Sequence, residues 1–355
     1  MSLIWADIPD RSLGVYGADD NLLTDGLYAS WNGELVDDPD PNISVGKVML
    51  LDGSGTRLAR WILPATRTTV GMGCRVNISN IPTQTNREPE VHQYRNASNN
   101  ALCTIVISTT GSIQVMQGTR EGTLLAESAQ DVISANAWRH IESEVFLNAT
   151  TGTVKVWVEG VLVVDANTLS TSSEGLPCAQ VAFQMDADNT NARTPTHLKD
   201  IFIRDDQGSV NNSQIGTVTV YYRPPTSDVS SGWTPSTGTD DWDLLDDSPP
   251  NDATYISADD TPPAASIMET DSLPADVVSI RGIISLARSL KTDAGDGNIQ
   301  VSLSPNGTDW DTGGDYSVTT SEAYYHDVSE VSPTTGVAWT PIEFASLQIR
   351  LDRTV

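Results

Sequence analysis

Alternation of apolar and polar residues constrains this chain more than any other feature. Residues 139–148 read RHIESEVFLN, with Ile141, Val145 and Leu147 on one side and His140, Glu142, Glu144 and Phe146 on the other. Residues 153–158 (TVKVWV) alternate again, and Glu159-Gly160 then separates them from Val161-Leu162-Val163-Val164. A two-residue connection ending in glycine suits a primed turn, because glycine adopts positive φ freely. The spacing therefore predicts a hairpin preceded by a partner strand. Further strands are expected at 47–51, 60–63, 69–78, 90–94, 102–108, 112–117, 180–184 and 198–204. With no amphipathic helix between them, they predict antiparallel sheets packed as a sandwich.

Composition agrees with that pattern. Of the acids, 34 are Asp and only 13 are Glu, and Gly, Ser, Thr and Asn are abundant, so turns are favoured over helices. The polar stretch Asp205-Asp206-Gln207-Gly208-Ser209, followed by Asn211-Asn212-Ser213, places a domain boundary between residues 208 and 209. Beyond it, a strand is expected at 217–222, stopping at Pro224-Pro225, then a long polar segment at 226–260. Residues 277–291 (VVSIRGIISLARSLK) are apolar at most even positions and hold Gly282, which favours one long strand over a helix. Strands are also expected at 298–303, 316–319 and 342–351. The reading is all-β: two antiparallel β-sandwich domains, 1–208 and 209–355.

The 47 Asp+Glu against 20 Lys+Arg leave a formal charge of −27. Such a field repels phosphate backbones and anionic lipid, so neither nucleic acid nor a membrane surface is an expected partner. No apolar run approaches the roughly 20 residues of a membrane helix, and no signal peptide is expected at Met1-Ser2-Leu3-Ile4-Trp5. Cys74, Cys103 and Cys178 are widely spaced and lie in or beside apolar runs, the pattern of buried free thiols.

Ala137-Trp138-Arg139-His140-Ile141-Glu142, continuing through Gly152-Thr153-Val154-Lys155-Val156-Trp157-Val158-Glu159-Gly160, resembles the concanavalin A-like, laminin-G-like jelly roll. In that fold a W-x-x-hydrophobic-E strand leads to a hairpin of this form, and Leu198-Lys199-Asp200-Ile201-Phe202-Ile203-Arg204-Asp205 looks like its closing strand. The resemblance covers about residues 20–206 and implies the fold more than any activity. A second stretch, Gly216-Thr217-Val218-Thr219-Val220 through Trp233-Thr234-Pro235-Ser236-Thr237-Gly238 to Thr254-Tyr255-Ile256-Ser257, resembles structural proteins of tailed bacteriophages. That resemblance implies a non-enzymatic virion protein: a tail fibre or tail-tip appendage contacting host-surface glycans or spacing a receptor-binding part. It would be made in the host cytoplasm, be homo-oligomeric with a trimer favoured, and be partnered by other virion proteins. A capsid decoration or head-fibre protein is one alternative, and a polysaccharide-binding or glycan-hydrolysing jelly roll is the alternative from another class.

Three groups of residues are candidates for chemistry. Trp233, Trp242, Tyr255 and Trp310 stand in polar, turn-rich surroundings where exposed rings can stack on sugars. Asp37, Asp38, Asp40, Asp186 and Asp188 are candidate Ca²⁺ ligands at a sandwich rim, although calcium requires about six to eight oxygens and neither run is an EF-hand loop. Glu142 and Glu144 share one side of a strand, as the carboxylates of jelly-roll glycosidases do. Their E-x-D-x-x-E pattern lacks its third acid here, because Leu147 occupies that place. Two glutamates facing water opposite an apolar core side account for the pair. His92, His140, His197 and His326 form no metal or nucleophile motif, and neither a P-loop nor a GxGxxG occurs.

Overall fold

The computed structural model describes residues 3–7, 30–31, 34–37, 47–51, 57–85, 88–185, 195–246, 253–259 and 265–354. The chain is all-β and forms two units, one taking in the described residues up to Val220 and the other those from Tyr221 onward.

The first unit is a jelly-roll sandwich. From edge to edge, its eight-stranded sheet runs Val161–Leu169, Gly152–Val158, Arg139–Phe146, Thr69–Ile78, Thr196–Asp205, Lys47–Leu51 and Glu34–Asp37, with Leu3–Asp7 also on Thr196–Asp205. Its seven-stranded sheet runs Thr123–Glu127, Ile113–Gln117, Ala101–Ile107, Glu90–Arg95, Cys178–Met185, Arg57–Arg67 and Ser30–Trp31. Every pairing is antiparallel. The expected hairpin is present: Val158 faces Val161 across a turn in which Glu159 and Gly160 have φ of 50° and 77°. Positive φ at both central positions is what a type I′ turn demands, and it matches the twist of the flanking strands.

Period two decides what enters the core. Ile141 and Val145 meet Val70, Cys74, Val154 and Val158 in register, all buried, while Val181, Phe183, Tyr94 and Ile105 come from the other sheet. Trp61 and Phe183 pack edge to face with centroids 5.5 Å apart. Cys74, Cys103 and Cys178 are free and buried, as their surroundings predict. Burial pushes the Cys103 and Cys178 thiols up to about 12, against opposing backbone hydrogen bonds, so they behave as small apolar side chains.

In the second unit a five-stranded sheet runs Pro225–Ser230, Ser266–Thr270, Gln348–Arg353, Asn298–Ser304 and Asp315–Ser317. Ile283–Ser289 pairs with Ala323–Ser329, and Thr234–Pro235 with Ile256–Ser257. Leu303, Trp339, Phe344 and Leu347 form its core, with Leu273, Ile280, Ile283 and Ile349 against them.

Three expected elements differ here. Residues 217–222 belong to no strand, and the strand begins instead at Pro225, on a sheet edge where a missing N–H costs no ladder bond. The long strand expected at 277–291 is paired only over Ile283–Ser289, immediately after Gly282, and Val278 is 88% exposed. Residues 342–351 are not one strand: Pro341–Phe344 is a helical turn and the strand starts at Gln348. Thr340 and Glu343 form a reciprocal capping box with Pro341 at the first helical position, which overrides the apolar pattern locally.

Candidate functional site

A two-sheet sandwich has two outward faces, and polar residues alternate onto both. On the eight-stranded sheet the outward residues are His140, Glu142 and Glu144, with Gly71, Gly73, Trp157, Phe202 and Arg204 beside them in register. Glycine matters at two places. A Cβ on Gly71 would lie 2.7 Å from the Arg204 guanidinium carbon, and one on Gly73 would lie 2.2 Å from the Phe202 ring. Their absence lets Arg204 and Phe202 lie flat across the sheet, and His140 stacks on Phe202 at 5.9 Å.

Glu142 and Glu144 do share a side, as the alternation predicts, but Glu142 does not face water. Its side chain and that of Arg204 are both 0% exposed. Arg204 donates to Glu142 Oε1 from Nε (3.2 Å) and Nη2 (3.1 Å), and to Glu144 Oε2 from Nη1 (2.9 Å). The backbone amides of Ile215 and Gly216 donate to the two oxygens of Glu142, each at 2.9 Å. Val220 N donates to Asp200 Oδ1 at 2.9 Å, and Gln214 Nε2 to the Gly160 carbonyl at 3.3 Å. Residues 214–220 are therefore clipped onto this face at three places. Burial raises the Glu142 carboxyl from its ordinary range, and the two amides and Arg204 oppose that rise. With both oxygens occupied by donors, Glu142 is a fastening rather than an available acid or base.

The outward face of the seven-stranded sheet is different. Its register places Met116, Thr104, Gln93, Ala182 and Arg60 in one row, Gln114, Val106, Glu90 and Gln184 in the next, and Arg95 opposite Gln180. Gln93, Thr104 and Glu90 are 0–1% exposed, and Arg95, Gln180 and Gln184 are 7–8% exposed. Arg95 donates through Nε to Gln93 Oε1 at 2.7 Å, through Nη2 to Gln93 Oε1 and Gln184 Oε1, and through Nη1 to the carbonyl (2.9 Å) and Oδ1 (3.1 Å) of Asn99. The connection after Ile113–Gln117 folds back on the same face. There Gly118 O accepts from Thr104 Oγ1 at 2.5 Å, and Arg120 Nη1 stands 3.6 Å from Glu90 Oε1. Gln93 Nε2 and Gln180 Oε1 are buried with no hydrogen-bond partner.

A third polar group lies between the sheets. Ser143 Oγ bonds His92 Nδ1 at 2.6 Å and the Tyr94 hydroxyl at 2.7 Å, and His92 Nε2 faces Cys74 Sγ at 3.6 Å. All four residues are 0% exposed. Burial lowers His92 to about 3, so the imidazole is neutral. This serine–histidine pair resembles a nucleophile and base only in composition.

Of the aromatic candidates, three are linked through their backbones. Trp233 N donates to Ser266 Oγ (3.1 Å), which in turn donates to Asp241, and Asp228 accepts from the amides of Asp241 (2.8 Å) and Trp242 (3.0 Å). Tyr255 N donates to Ser236 Oγ at 3.0 Å on the ribbon next to Trp233. Trp310 lies elsewhere, with the Arg350 guanidinium 5.7 Å from its ring centre. Tyr255 is 53% exposed, and Trp233, Trp242 and Trp310 are half-buried. Among the candidate calcium ligands, Asp38, Asp40, Asp186 and Asp188 lie outside the described residues, and Asp37 ends the strand Glu34–Asp37. Among the described residues, no group of three or more His, Cys, Asp or Glu could hold a metal ion.

No family model and no curated protein matches the sequence. Solved structures do. A sialidase aligns at 10% identity and a TM-score of 0.38 over 57% of this chain, which spans only 19% of the sialidase's length. An alginate lyase in complex with an alginate tetrasaccharide aligns at 10% identity and 0.38, over 56% of this chain and 95% of its own. Botulinum neurotoxin type C aligns at 13% and 0.36, over 57% and 47%. At this level the likeness is one of fold alone.

These relatives correct two expectations. They are glycan-active enzymes and a toxin, and none is a phage structural protein, so the reading as a non-enzymatic virion part, whether fibre, tail tip or decoration, does not stand. Catalysis was excluded because one strand lacks a third acid, a pattern that belongs to a single class of jelly-roll enzymes. The same sandwich carries other glycan chemistries from other residues.

Proposed function

We propose that the first unit is a carbohydrate-binding jelly roll whose glycan lies along the outward face of the seven-stranded sheet. The observation that carries this reading is the set of amide and guanidinium side chains on neighbouring rows of that face, Arg60, Gln93, Arg95, Gln180 and Gln184. Two buried atoms in it, Gln93 Nε2 and Gln180 Oε1, have no partner. An unpartnered buried donor or acceptor costs about 1–3 kcal/mol, which a structural network would avoid and a ligand would recover. Sheet geometry suits a linear sugar chain, because outward side chains repeat about every 4.8 Å across strands and about 6.8 Å along them. Planar amides and guanidinium groups recognise hydroxyls and ring substituents from fixed directions. The opposite outward face is already covered by residues 214–220.

Affinity gel electrophoresis against a panel of neutral and acidic polysaccharides tests the proposal. Retardation by at least one polymer is expected, and is lost in a Gln93→Ala/Gln184→Ala variant that still melts cooperatively. No retardation by any polymer, or full retention in that variant, refutes it. New reducing ends in the same incubations report whether the bound chain is also cut.

A further inference from the structure

Arginine has five N–H donors and no acceptor, and Arg95 spends its donors within its own sheet face. Nε and Nη2 donate to Gln93 Oε1, Nη2 donates also to Gln184 Oε1, and Nη1 donates to the carbonyl and Oδ1 of Asn99. That is five bonds for five N–H groups. Arg120 stands 3.6 Å from Glu90 Oε1, with both side chains buried. Arg60, in the row of Gln93, is engaged as well. These three arginines tie the face together and do not present a bare charge to a ligand.

What the face leaves over is uncharged. Gln93 cannot turn its amide, because Nε2 would then meet the Arg95 donors, so Nε2 stays a buried donor without a partner. Gln180 is fixed in the opposite sense. Its Nε2 donates to the Ala97 carbonyl at 3.4 Å, and turning it would set oxygen against oxygen, so Oε1 stays an acceptor without a partner. Gln93 lies opposite Ala182 in the register, and Gln180 is two residues from Ala182 on the same strand and the same side. Diagonal neighbours of this kind have Cα atoms about 7–8 Å apart. One unmatched donor and one unmatched acceptor therefore share a single patch.

We infer that this patch binds an uncharged, hydroxyl-rich glycan and selects against sugars that carry carboxylates. The inference rests on the carbohydrate-binding reading above and adds the chemistry of the sugar. A hydroxyl both accepts and donates, so one kind of group satisfies Gln93 Nε2 and Gln180 Oε1 together. A carboxylate accepts only. It meets Gln93 Nε2 but sets an oxygen against Gln180 Oε1, and it brings a second negative charge towards Glu90 in the adjoining row. With the arginines committed, nothing replaces the water that a carboxylate gives up on burial. The chain's charge of −27 acts in the same direction on an approaching acidic polymer.

The test adds matched pairs to the gel panel, with the full chain run against polygalacturonate, alginate and hyaluronan. Each is set beside the same polymer after chemical reduction of its carboxyl groups. Retardation against polymer concentration gives the dissociation constants. Neutral polymers are expected to bind roughly tenfold or more tightly than acidic ones, as for a site whose polar groups go unmatched by the wrong ligand. Gln93→Glu keeps the shape and the acceptors for Arg95 but replaces the unmatched donor by an acceptor. It should weaken binding of the neutral polymer about tenfold while the melting temperature holds or rises. Gln180→Ala removes the unmatched acceptor and should weaken the same polymer with the fold intact. Acidic polymers that bind as tightly as neutral ones, or more tightly, overturn the inference and leave carbohydrate binding standing. Neutral-polymer binding unchanged in both variants does the same. Retardation by no polymer in the whole panel overturns both.

Discussion

The outward faces of the jelly roll are built from the same kind of alternating strand, yet they end differently. On the eight-stranded sheet, Glu142 meets a guanidinium and two backbone amides, and every oxygen is used. On the seven-stranded sheet, Arg95 meets neutral amides, and the atoms behind them, Gln93 Nε2 and Gln180 Oε1, are left over. One face is closed by the chain's own segment 214–220; the other holds hydrogen-bonding capacity that the described residues do not consume. Saturation of the Glu142 carboxylate is what separates that fastening from the Arg95 array, although His140 on the same face keeps both ring nitrogens without a hydrogen bond.

The largest effect should come from breaking the closed face. Arg204→Met leaves the buried Glu142 carboxylate without its cation and is expected to cost about 3–5 kcal/mol in denaturant unfolding. A loss under about 1 kcal/mol would mean that this face is open to water. On the same face burial, with the Arg75 charge adding to it, holds His140 neutral, at about 4, as burial holds His92 at about 3, against 6.5 unperturbed. Both histidines take up a proton on unfolding once the pH is below 6.5. Stability should therefore fall as pH drops from about 6.5 towards 4, by about 1.4 kcal/mol per pH unit for each histidine at the steepest. His140→Phe, which preserves the stack on Phe202, should flatten that slope, and an unchanged slope would show His140 to be solvated.

Smaller changes sharpen the contrast. Gly73→Ala forces a methyl into the Phe202 ring and should cost about 1–3 kcal/mol. Glu142→Gln retains one acceptor for the amides of Ile215 and Gly216; it should cost about 1–2 kcal/mol and speed proteolysis within 207–220. Gln180→Ala on the other face should stay within about 0.5 kcal/mol of the native protein, because it removes only a long bond from Nε2 to the Ala97 carbonyl (3.4 Å) together with an Oε1 that bonds nothing there.

Much of the fold was legible because period two is a direct record of facing. The 139–164 stretch read correctly down to its turn, and the free cysteines followed from their apolar neighbours. Alternation says which way Glu142 points and nothing about what lies on top of it, so the pair was read as surface glutamates. A signal was present: Gly71 and Gly73, alternating in an otherwise apolar strand, mark places where large side chains must lie flat. The array around Arg95 was missed for another reason. Gln93 and Arg95 are two residues apart and look like any polar strand face, whereas Gln184 lies 89 positions from Arg95 and joins it only through sheet pairing. The misread strand at 342–351 has a local cause that the sequence did carry, the Thr340-Pro341-x-Glu343 cap.

The contrast between the faces is most directly tested by NMR during titration with a polysaccharide that retards the protein in the gel assay. The side-chain amide signals of Gln93 and Gln184 should shift, while the backbone amides of Ile215 and Gly216, held by Glu142, should not. Shifts at Ile215 and Gly216 with silent glutamine amides would place the ligand on the eight-stranded sheet and contradict the account.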